Sequence, residues 1–303
     1  MKEADKIWMD GKFVDWKDAT VHVLTHTLHY GLGLFEGIRC YKTNNGSAIF
    51  RLKEHVDRFY ASAHISQIDI PYSKKEMTDA IIDTVRVNKL EECYIRPIAF
   101  IGYGEMGLYV TSNPINVSVA AWPWGTYLGD DGLKNGIRTK VSSFTRHHVN
   151  ISMTKAKICG YYANSQFAKR EVKRGGYDEA ILLDADGYVA EGPGENIFIV
   201  RKNSLKTTPL TSILEGITRD SIIELAKEKG IPVTEERFTR DELYMSSEAF
   251  FTGTAAEVTP IREVDDRSIG LGKPGPITLE LQKAYFDCVH GKDSQHKDWL
   301  TYI

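Results

Sequence analysis

The sequence has no long apolar run, no paired cysteine motif and no block of like charge. None of its apolar runs approaches the roughly 18 residues of a membrane-spanning helix, and its start, MKEADKIWMDGKF, is too polar and acidic for a secretory signal peptide. The four cysteines (Cys40, Cys93, Cys159 and Cys288) are widely spaced without a CxxC pair, which argues against a metal site or a disulfide framework. We therefore expect a soluble, cytoplasmic protein with reduced thiols and no membrane partner.

The charge is nearly balanced, with 38 Lys and Arg against 41 Asp and Glu and a formal net charge of −3. The charges are scattered, which excludes a nucleic-acid partner bound by extensive phosphate neutralisation, although one pocket could still bind a small anion. A chain of 303 residues that is 42% hydrophobic is long enough for two domains. It contains no internal repeat and no low-complexity segment.

The first part of the chain combines hairpins and helices. IWMDGKFVDW predicts a hairpin turning at Asp10-Gly11, and IRCYKTNNGSAIF predicts another turning near Asn45-Gly46. LKEHVDRFYASAHI and SKKEMTDAIIDTVRVN are helical in pattern, and the strands ECYIRPIAFIG and INVSVAAW follow. This order predicts a small α+β domain over residues 1–121, with helices on one face of an antiparallel sheet. WPWGTYLGDDGL, residues 122–133, breaks the pattern and is the predicted interdomain loop.

The remaining residues, 134–303, are predicted to form a larger domain. A strand near IRTKVSS precedes a helix from about Tyr161 to Lys173, and EAILLDADGYVAE predicts a hairpin turning at Asp186-Gly187. The strand NIFIV, the amphipathic helix GITRDSIIELAKEKG and the small-residue turn FTGTAAEVTPI follow.

Two lysines stand among small and apolar residues in MTKAKICGYYANS, residues 153–165. Lys155 and Lys157 are either solvated loop charges, or one of them is held out of water so that its amine becomes a nucleophile. A buried lysine that forms a Schiff base commonly does so with pyridoxal phosphate (PLP). The residues alone do not decide between the two lysines.

A PLP site also needs an acid for the pyridine nitrogen. Glu191 ends a strand before the turn Gly192-Pro193-Gly194, and its carboxylate could keep that nitrogen protonated. The alternative for Glu191 is an ordinary solvated strand end, and Glu195 competes for the role or supports it.

Phosphate and ring contacts can be sought in the same way. Gly216-Ile217-Thr218 opens a helix whose backbone N–H groups could bind an anion, with Arg58 adding positive charge. The run 253–256, of sequence GTAA, allows close backbone approach to a ligand, and Tyr162 could face the lysine. Each feature also has a structural alternative. Residues 216–218 could simply cap the helix and Arg58 could be a surface residue. The run 253–256 could be a tight turn and Tyr162 a core residue.

Eight ordered sequence blocks make the chain recognisable. They are HYGLGLFEGIRCY (29–41), FRLKEHVDRF (50–59), YIRPIAFIGYGEMGL (94–108), AWPWGTYLG (121–129), KICGYYANS (157–165), GYDEAILLDADGYVAEGPGENIFIV (176–200), LEGITRDSI (214–222) and FFTGTAAEVTPI (250–261). With these blocks the chain resembles the branched-chain amino acid aminotransferases, which are PLP enzymes of fold type IV. The resemblance implies a two-domain α+β fold, with a smaller N-terminal α/β domain, a larger C-terminal domain with a β-barrel-like core, and the active site between them.

The resemblance also implies a role for each candidate cofactor residue. It identifies Lys157 as the Schiff-base lysine and places Glu191 at the pyridine nitrogen and Tyr162 at the ring oxygen. The residues implied to bind the phosphate are Arg58, Ile217, Thr218 and Thr254.

Substrate contacts are implied in the same manner. Tyr94 and the backbone amides of Thr254 and Ala255 would bind the α-carboxylate. The distal carboxylate of glutamate would meet Arg96, Tyr30 and Tyr127. Phe35, Trp124, Tyr162 and Ala256 would form an apolar wall for the branched side chain. Leu108 and Tyr30 would reach in from a neighbouring subunit, which implies at least a homodimer and leaves a hexamer open.

The implied activity is transamination of L-leucine, L-isoleucine and L-valine with 2-oxoglutarate, giving branched 2-oxo acids and L-glutamate in a ping-pong cycle through a Lys157 aldimine. A fold type IV transaminase with a shifted scope, toward D-amino acids or (R)-amines, is the alternative, and a PLP-binding homologue without catalysis is a second. Leu32, Leu34, Tyr161 and the absence of prolines in residues 146–155 depart from the family pattern and leave substrate breadth open.

Overall fold

A computed structural model describes residues 2–303, which form two compact units. The first unit comprises the chain up to Trp124 together with Ala156–Tyr161 and Cys288–Ile303, and the second comprises Gly125–Lys155 and Tyr162–Asp287. Both units contain helices and sheet, in agreement with the predicted α+β class. Within the described residues, no helix is long and apolar enough to cross a membrane.

The strands, in chain order, are β1 (Lys6–Met9), β2 (Lys12–Asp15), β3 (Gly33–Phe35), β4 (Ile38–Thr43), β5 (Gly46–Phe50), β6 (Cys93–Ile101), β7 (Ile115–Trp122), β8 (Ile137–Val141), β9 (Glu179–Leu183), β10 (Val189–Glu191), β11 (Asn196–Arg201), β12 (Ser204–Thr207), β13 (Val233–Glu235), β14 (Glu248–Gly253), β15 (Glu257–Val264), β16 (Arg267–Ser268) and β17 (Leu300–Tyr302). The α-helices are α1 (His26–Tyr30), α2 (Leu52–Ser66), α3 (Lys74–Val87), α4 (Asp130–Asn135), α5 (Tyr162–Arg174), α6 (Ile217–Glu228), α7 (Arg240–Tyr244) and α8 (Pro276–Val289).

The first unit is built on an antiparallel sheet of eight strands in the order β17-β5-β4-β6-β7-β1-β2, with β3 also paired to β6. The predicted turn at Asp10-Gly11 is confirmed, because both residues have positive φ and Met9 pairs with Lys12. The prediction for the second hairpin was displaced by one residue. Thr43 pairs with Gly46, so the chain turns at residues 44 and 45.

Helices α2 and α3 supply the apolar cover of this sheet. α3 begins where the sequence predicts, because Ser73 and Glu76 form a reciprocal capping box at its first turn. Its apolar residues, among them Met77, Ile81 and Val85, recur at helical spacing and join one buried cluster with strand residues of the sheet. α2 packs beside α3 and begins at Leu52, so its first two turns carry His55 and Arg58.

The first unit includes two segments that lie far along the chain. Ile158 forms a β-bridge with Leu34, and the Gly160 N–H donates to the Gly31 carbonyl at 2.9 Å. β17 pairs with β5 and so extends the sheet by one strand. Continuous domains of 1–121 and 134–303 therefore differ from the observed division, because strand pairing and local bridges draw residues 156–161 and 288–303 into the first unit.

The second unit contains a nine-stranded mixed sheet. Its order is β10-β9-β8-β15-β14-β11-β12-β13, with β16 paired to β15. β8 runs parallel to both β9 and β15, whereas β11, β14 and β15 pair antiparallel. The pairing of β11 with β14 sets Asn196 opposite Thr252, which brings the turn before β11 beside the turn after β14.

Candidate active site

Lys157 is anchored through its main chain to two elements of the first unit. Its N–H donates to the Ser62 Oγ of α2 at 3.1 Å, and its carbonyl accepts from the Phe35 N–H of β3 at 3.1 Å. The amine nitrogen Nζ lies 5.0 Å from the centre of the Phe35 ring. The backbone around this lysine is therefore fixed by sheet and helix.

Lys155 has different surroundings, in the second unit. Its Nζ donates to the carbonyl of Leu210 and, at 3.3 Å, to that of Ile213, and lies 3.5 Å from Glu215 Oε1. Two carbonyl acceptors and a carboxylate suit a protonated ammonium group. These contacts favour a structural role for Lys155.

A cluster of aromatic side chains surrounds Arg96 in the first unit. The guanidinium carbon lies 4.5 Å from the Phe35 ring centre, and Nη2 donates to the Tyr94 hydroxyl at 3.1 Å. The Tyr94 ring packs edge-on against Trp124 with 4.7 Å between centres. A Cβ at Gly37 would lie 2.0 Å from the Tyr94 hydroxyl, so only glycine leaves room for it. The structure thus brings together Phe35, Tyr94, Arg96 and Trp124.

Arg58 is held by an acidic residue to which the sequence analysis assigned no role. Glu36 Oε1 accepts from Arg58 Nε at 2.7 Å, and Glu36 Oε2 accepts from Arg58 Nη2 at 2.8 Å. His55 Nδ1 lies 2.8 Å from the same Oε2. Burial alone would raise the pKa of Glu36, but the charge and hydrogen bonds of Arg58, with the bond to His55, hold that pKa well below its usual range. The spacing of FEGIR to HVDRF gave no signal for this contact, which depends on how β3 meets α2.

Tyr30 and Leu108 lie on an exposed apolar surface of the first unit. Leu108 is 91% exposed and Tyr30 is 43% exposed. Two segments form this surface, and they are joined by a 2.7 Å contact between His26 Nε2 and the Gly107 carbonyl. Val23, Leu28, Tyr103 and Tyr109 of these two segments are exposed as well, and the apolar surface denotes these four side chains together with Tyr30 and Leu108.

In the second unit, Glu191 is a buried carboxylate that accepts hydrogen bonds from a cationic and from neutral donors. Its Oε1 accepts from Arg146 Nε at 2.6 Å, and its Oε2 accepts from Asn196 Nδ2 at 3.2 Å and from the Leu214 N–H at 3.3 Å. The solvated alternative for Glu191 is therefore wrong. No sequence pattern points to Arg146 as this partner, because it lies 45 residues from Glu191 in the chain.

Glu195 has surroundings of the opposite kind. Burial, with the charge of Glu179 nearby, raises the pKa of Glu195 to about 8, although the Lys169 ammonium opposes the shift. Glu179 itself forms an ion pair with Lys169. Of the two acids in this turn, Glu191 has the cationic partner and is the better candidate for contact with a protonated ring nitrogen.

Ile217 and Thr218 form the first turn of α6, as the sequence predicts. Thr218 is buried, and the first N–H groups of a helix have no acceptor within that helix. A Cβ at Gly216 would lie 1.9 Å from Asn196 Oδ1, so glycine is required where this helix begins. Because Asn196 Nδ2 also donates to Glu191, one side chain links the acid to the start of α6.

Residues Thr254, Ala255 and Ala256 form the turn between β14 and β15. Thr259 Oγ1 donates to the Ala256 carbonyl at 2.6 Å, and Glu257 adopts a left-handed backbone conformation with a φ of 55°. This turn is fixed by strands on either side, and β14 pairs with β11, which starts just after Glu195.

Tyr162 and Tyr127 also belong to the second unit. Tyr162 is the first residue of α5, one position after the predicted start of that helix. The Tyr127 ring centre lies 5.2 Å from Lys169 Nζ. The predicted residues of the second unit are thus Tyr127, Tyr162, Glu191, Ile217, Thr218, Thr254, Ala255 and Ala256.

Comparison with known proteins decides the family. Residues 33–264 match the family described as Amino-transferase class IV. The chain belongs to the class IV aminotransferases. Among members, the branched-chain-amino-acid aminotransferase of Pseudomonas aeruginosa is 56% identical, with 100% of both chains covered. That of Escherichia coli K12 is 45% identical over 100% of this chain and 98% of the relative.

Solved structures of class IV aminotransferases share the fold. A T.th. branched-chain amino acid aminotransferase with pyridoxamine 5′-phosphate has a TM-score of 0.97 at 48% identity, covering 100% of this chain and 99% of that one. The Escherichia coli enzyme has a TM-score of 0.96 at 45% identity, covering 98% of this chain and 99% of that one. The predicted two-domain fold type IV is thereby confirmed.

Proposed function

We propose that this class IV aminotransferase transfers the amino group of L-leucine, L-isoleucine or L-valine to 2-oxoglutarate with PLP as cofactor. The observation that carries the proposal is the buried Glu191 carboxylate, held by Arg146 and linked through Asn196 to the start of α6. This arrangement suits a cofactor with a protonated ring nitrogen and a phosphate. The relatives named above carry the same activity in their names over the whole chain.

The residues present fit PLP. Glu191 supplies a buried acid for the ring nitrogen, and the N–H groups at the start of α6 are of the type that bind phosphate. When bound, PLP supplies an electron sink for negative charge at the substrate α-carbon. The proposed phosphate contacts are Arg58, Ile217, Thr218 and Thr254, and Tyr162 is proposed for the ring oxygen.

Lys157 is the proposed catalytic residue. It would hold the cofactor covalently through Nζ and, once released, would act as general base and acid at the substrate α-carbon. The fixed main chain of Lys157 on β3 and α2 supports this role, because proton transfer requires a positioned amine.

Two kinds of substrate would share one pocket. We propose that Arg96, with Tyr30 and Tyr127, binds the distal carboxylate of glutamate. The bond from Arg96 Nη2 to the Tyr94 hydroxyl supports this role, because it fixes the position of the guanidinium group. Tyr94, Thr254 and Ala255 are proposed for the α-carboxylate. The proposed apolar wall consists of Phe35, Trp124, Tyr162 and Ala256.

The proposed functional unit is a homodimer in the cytoplasm, and a hexamer would be an assembly of such dimers. The apolar surface supports a second copy of this chain as partner, because its six exposed large apolar side chains lie on two segments that are in contact with each other. Cys40 of β4 and Cys93 of β6 lie opposite each other in the sheet, and both are free thiols. Reducing compartments such as the cytoplasm keep thiols in this state.

A steady-state assay tests the proposal. Protein saturated with PLP is incubated with L-leucine and 2-oxoglutarate, and L-glutamate and the branched 2-oxo acid are quantified. Equal amounts of both products are expected. Turnover of (R)-1-phenylethylamine or D-alanine, with none of L-leucine, would contradict the substrate assignment and leave the cofactor in place.

A further inference from the structure

One buried carboxylate fixes the orientation of Arg58. Glu36 follows β3 directly, and its own N–H donates to the Pro97 carbonyl at 2.9 Å, so its backbone is tied to β6. The two parallel bonds from Arg58 Nε and Nη2 lock the guanidinium plane to that carboxylate. His55, one turn earlier on α2, holds Glu36 Oε2 from a second side.

These contacts orient the whole guanidinium group. The fork geometry of arginine fixes the direction of its N–H groups once Nε and Nη2 are bonded to Glu36. The negative charge of Glu36 balances the positive charge of Arg58. The pair would therefore favour anion binding mainly by orienting the guanidinium N–H groups of Arg58. A lysine or a loosely held arginine at position 58 would lack this orientation.

We infer that Glu36 is a positioning residue that acts through Arg58 to favour a phosphorylated cofactor over the same cofactor without its phosphate. The inference rests on the proposed function, because it takes PLP as the cofactor and Arg58 as one of its phosphate contacts. Glu36 itself is proposed to contact neither substrate nor cofactor. Its effect on cofactor binding is expected to be confined to the phosphate.

The test compares two ligands on the same protein. Dissociation constants of PLP and of pyridoxal, which lacks the phosphate, are measured by absorbance titration of the cofactor-free full-length chain. Glu36→Asp keeps the charge and withdraws the carboxylate by one methylene. This change is expected to raise the Kd of PLP about tenfold, as for one impaired charge-assisted hydrogen bond, and to leave the Kd of pyridoxal unchanged.

A matched control lies on the same helix. Glu54 pairs with Arg51 through an Nε–Oε1 contact of 2.8 Å, so Glu54→Gln also removes a carboxylate from an arginine of this region. It is expected to leave the PLP and pyridoxal constants unchanged.

A double-mutant cycle separates positioning from general damage to the fold. In an Arg58→Leu background, Glu36→Asp should cause no further change in the ratio of the two dissociation constants. An equal rise for both ligands, an unchanged ratio, or an effect that persists without Arg58 would overturn the inference. If the unmodified chain does not bind PLP, the proposed function fails as well, whereas PLP binding with an unaffected ratio refutes the inference alone.

Discussion

Arg146 Nε lies 2.6 Å from Glu191 Oε1, and both side chains are largely buried. The bond joins the loop after β8 to the end of β10, two segments that come together only in the folded second unit. An acid that contacts a protonated ring nitrogen must stay ionised, and a buried carboxylate does so when a cation is bonded to it.

Replacement of Arg146 by methionine should therefore weaken catalysis. The Glu191 carboxylate would lose its bond to the Arg146 guanidinium. The loss of one charge-assisted hydrogen bond, about 1.5–3 kcal/mol, corresponds to roughly 10- to 100-fold in kcat. Arg138→Met is the control, since Arg138 pairs with Glu263 at 2.7 Å elsewhere in this unit. Equal kcat values for the two variants would argue against the role of Arg146.

The two lysines should respond differently to alanine. Lys157→Ala is expected to lower transamination by at least about a thousandfold, because the proton-transfer group is removed. Lys155→Ala removes contacts to Leu210, Ile213 and Glu215, so it should lower stability and retain turnover in the folded fraction. Steady-state rates and thermal melting measured on both variants check this. The reverse pattern of activity would exchange the two assignments.

Arg96→Leu should separate the two kinds of substrate. The distal carboxylate of 2-oxoglutarate would lose a charged donor, which raises its KM by about 10- to 100-fold, whereas KM for L-leucine should hold within a few fold. Arg86→Leu, at an exposed pair with Asp83 on α3, is a control for loss of positive charge. A parallel rise of both KM values would indicate that Arg96 holds the fold of the pocket instead.

Glu195 predicts a pH dependence of stability. Its folded pKa is raised to about 8 by burial and by Glu179, above the value near 4.3 of an unfolded glutamate. The folded state therefore binds the proton more tightly, so the stabilising contribution is full below pH 4 and is lost as pH rises toward 8. Glu195→Gln has no ionisable group at this position, so it lacks this pH dependence. The melting temperature of the variant minus that of the unmodified chain should increase between pH 5 and pH 9. A constant difference would contradict the assignment.

Leu108→Glu should disrupt the proposed dimer. Leu108 belongs to the exposed apolar surface of the first unit, and a buried unpaired carboxylate is unfavourable at an interface. Leu271→Glu is the control, because Leu271 is 85% exposed in the second unit. Sedimentation velocity should show monomers for the first variant only. Dimers in both variants would place the interface elsewhere.

Local patterns predicted most of the elements, whereas side-chain partners required the fold. The Asp10-Gly11 turn, the capped helix α3 and the start of α6 follow from nearest-neighbour chemistry, so the sequence sufficed. The bond of Arg146 to Glu191 joins residues 45 positions apart, and the bonds of Arg58 to Glu36 join residues 22 positions apart. Such contacts depend on strand register and helix packing, for which no single stretch of sequence carries a signal.

The chain also crosses between units in a way that composition does not reveal. The segment of residues 156–161 is short and has no strong hydrophobic periodicity. A β-bridge from Ile158 to Leu34 nevertheless places it in the first unit. Lys155 and Lys157 consequently fall in different units although one residue separates them.

The central claim is most directly tested by one half-reaction. PLP-saturated protein is mixed with L-leucine alone while its absorbance spectrum is followed. The account predicts that the cofactor band near 400 nm, roughly, shifts to shorter wavelength and that 2-oxoglutarate restores it. A band that remains fixed with L-leucine but moves with D-alanine or an (R)-amine would contradict the branched-chain assignment.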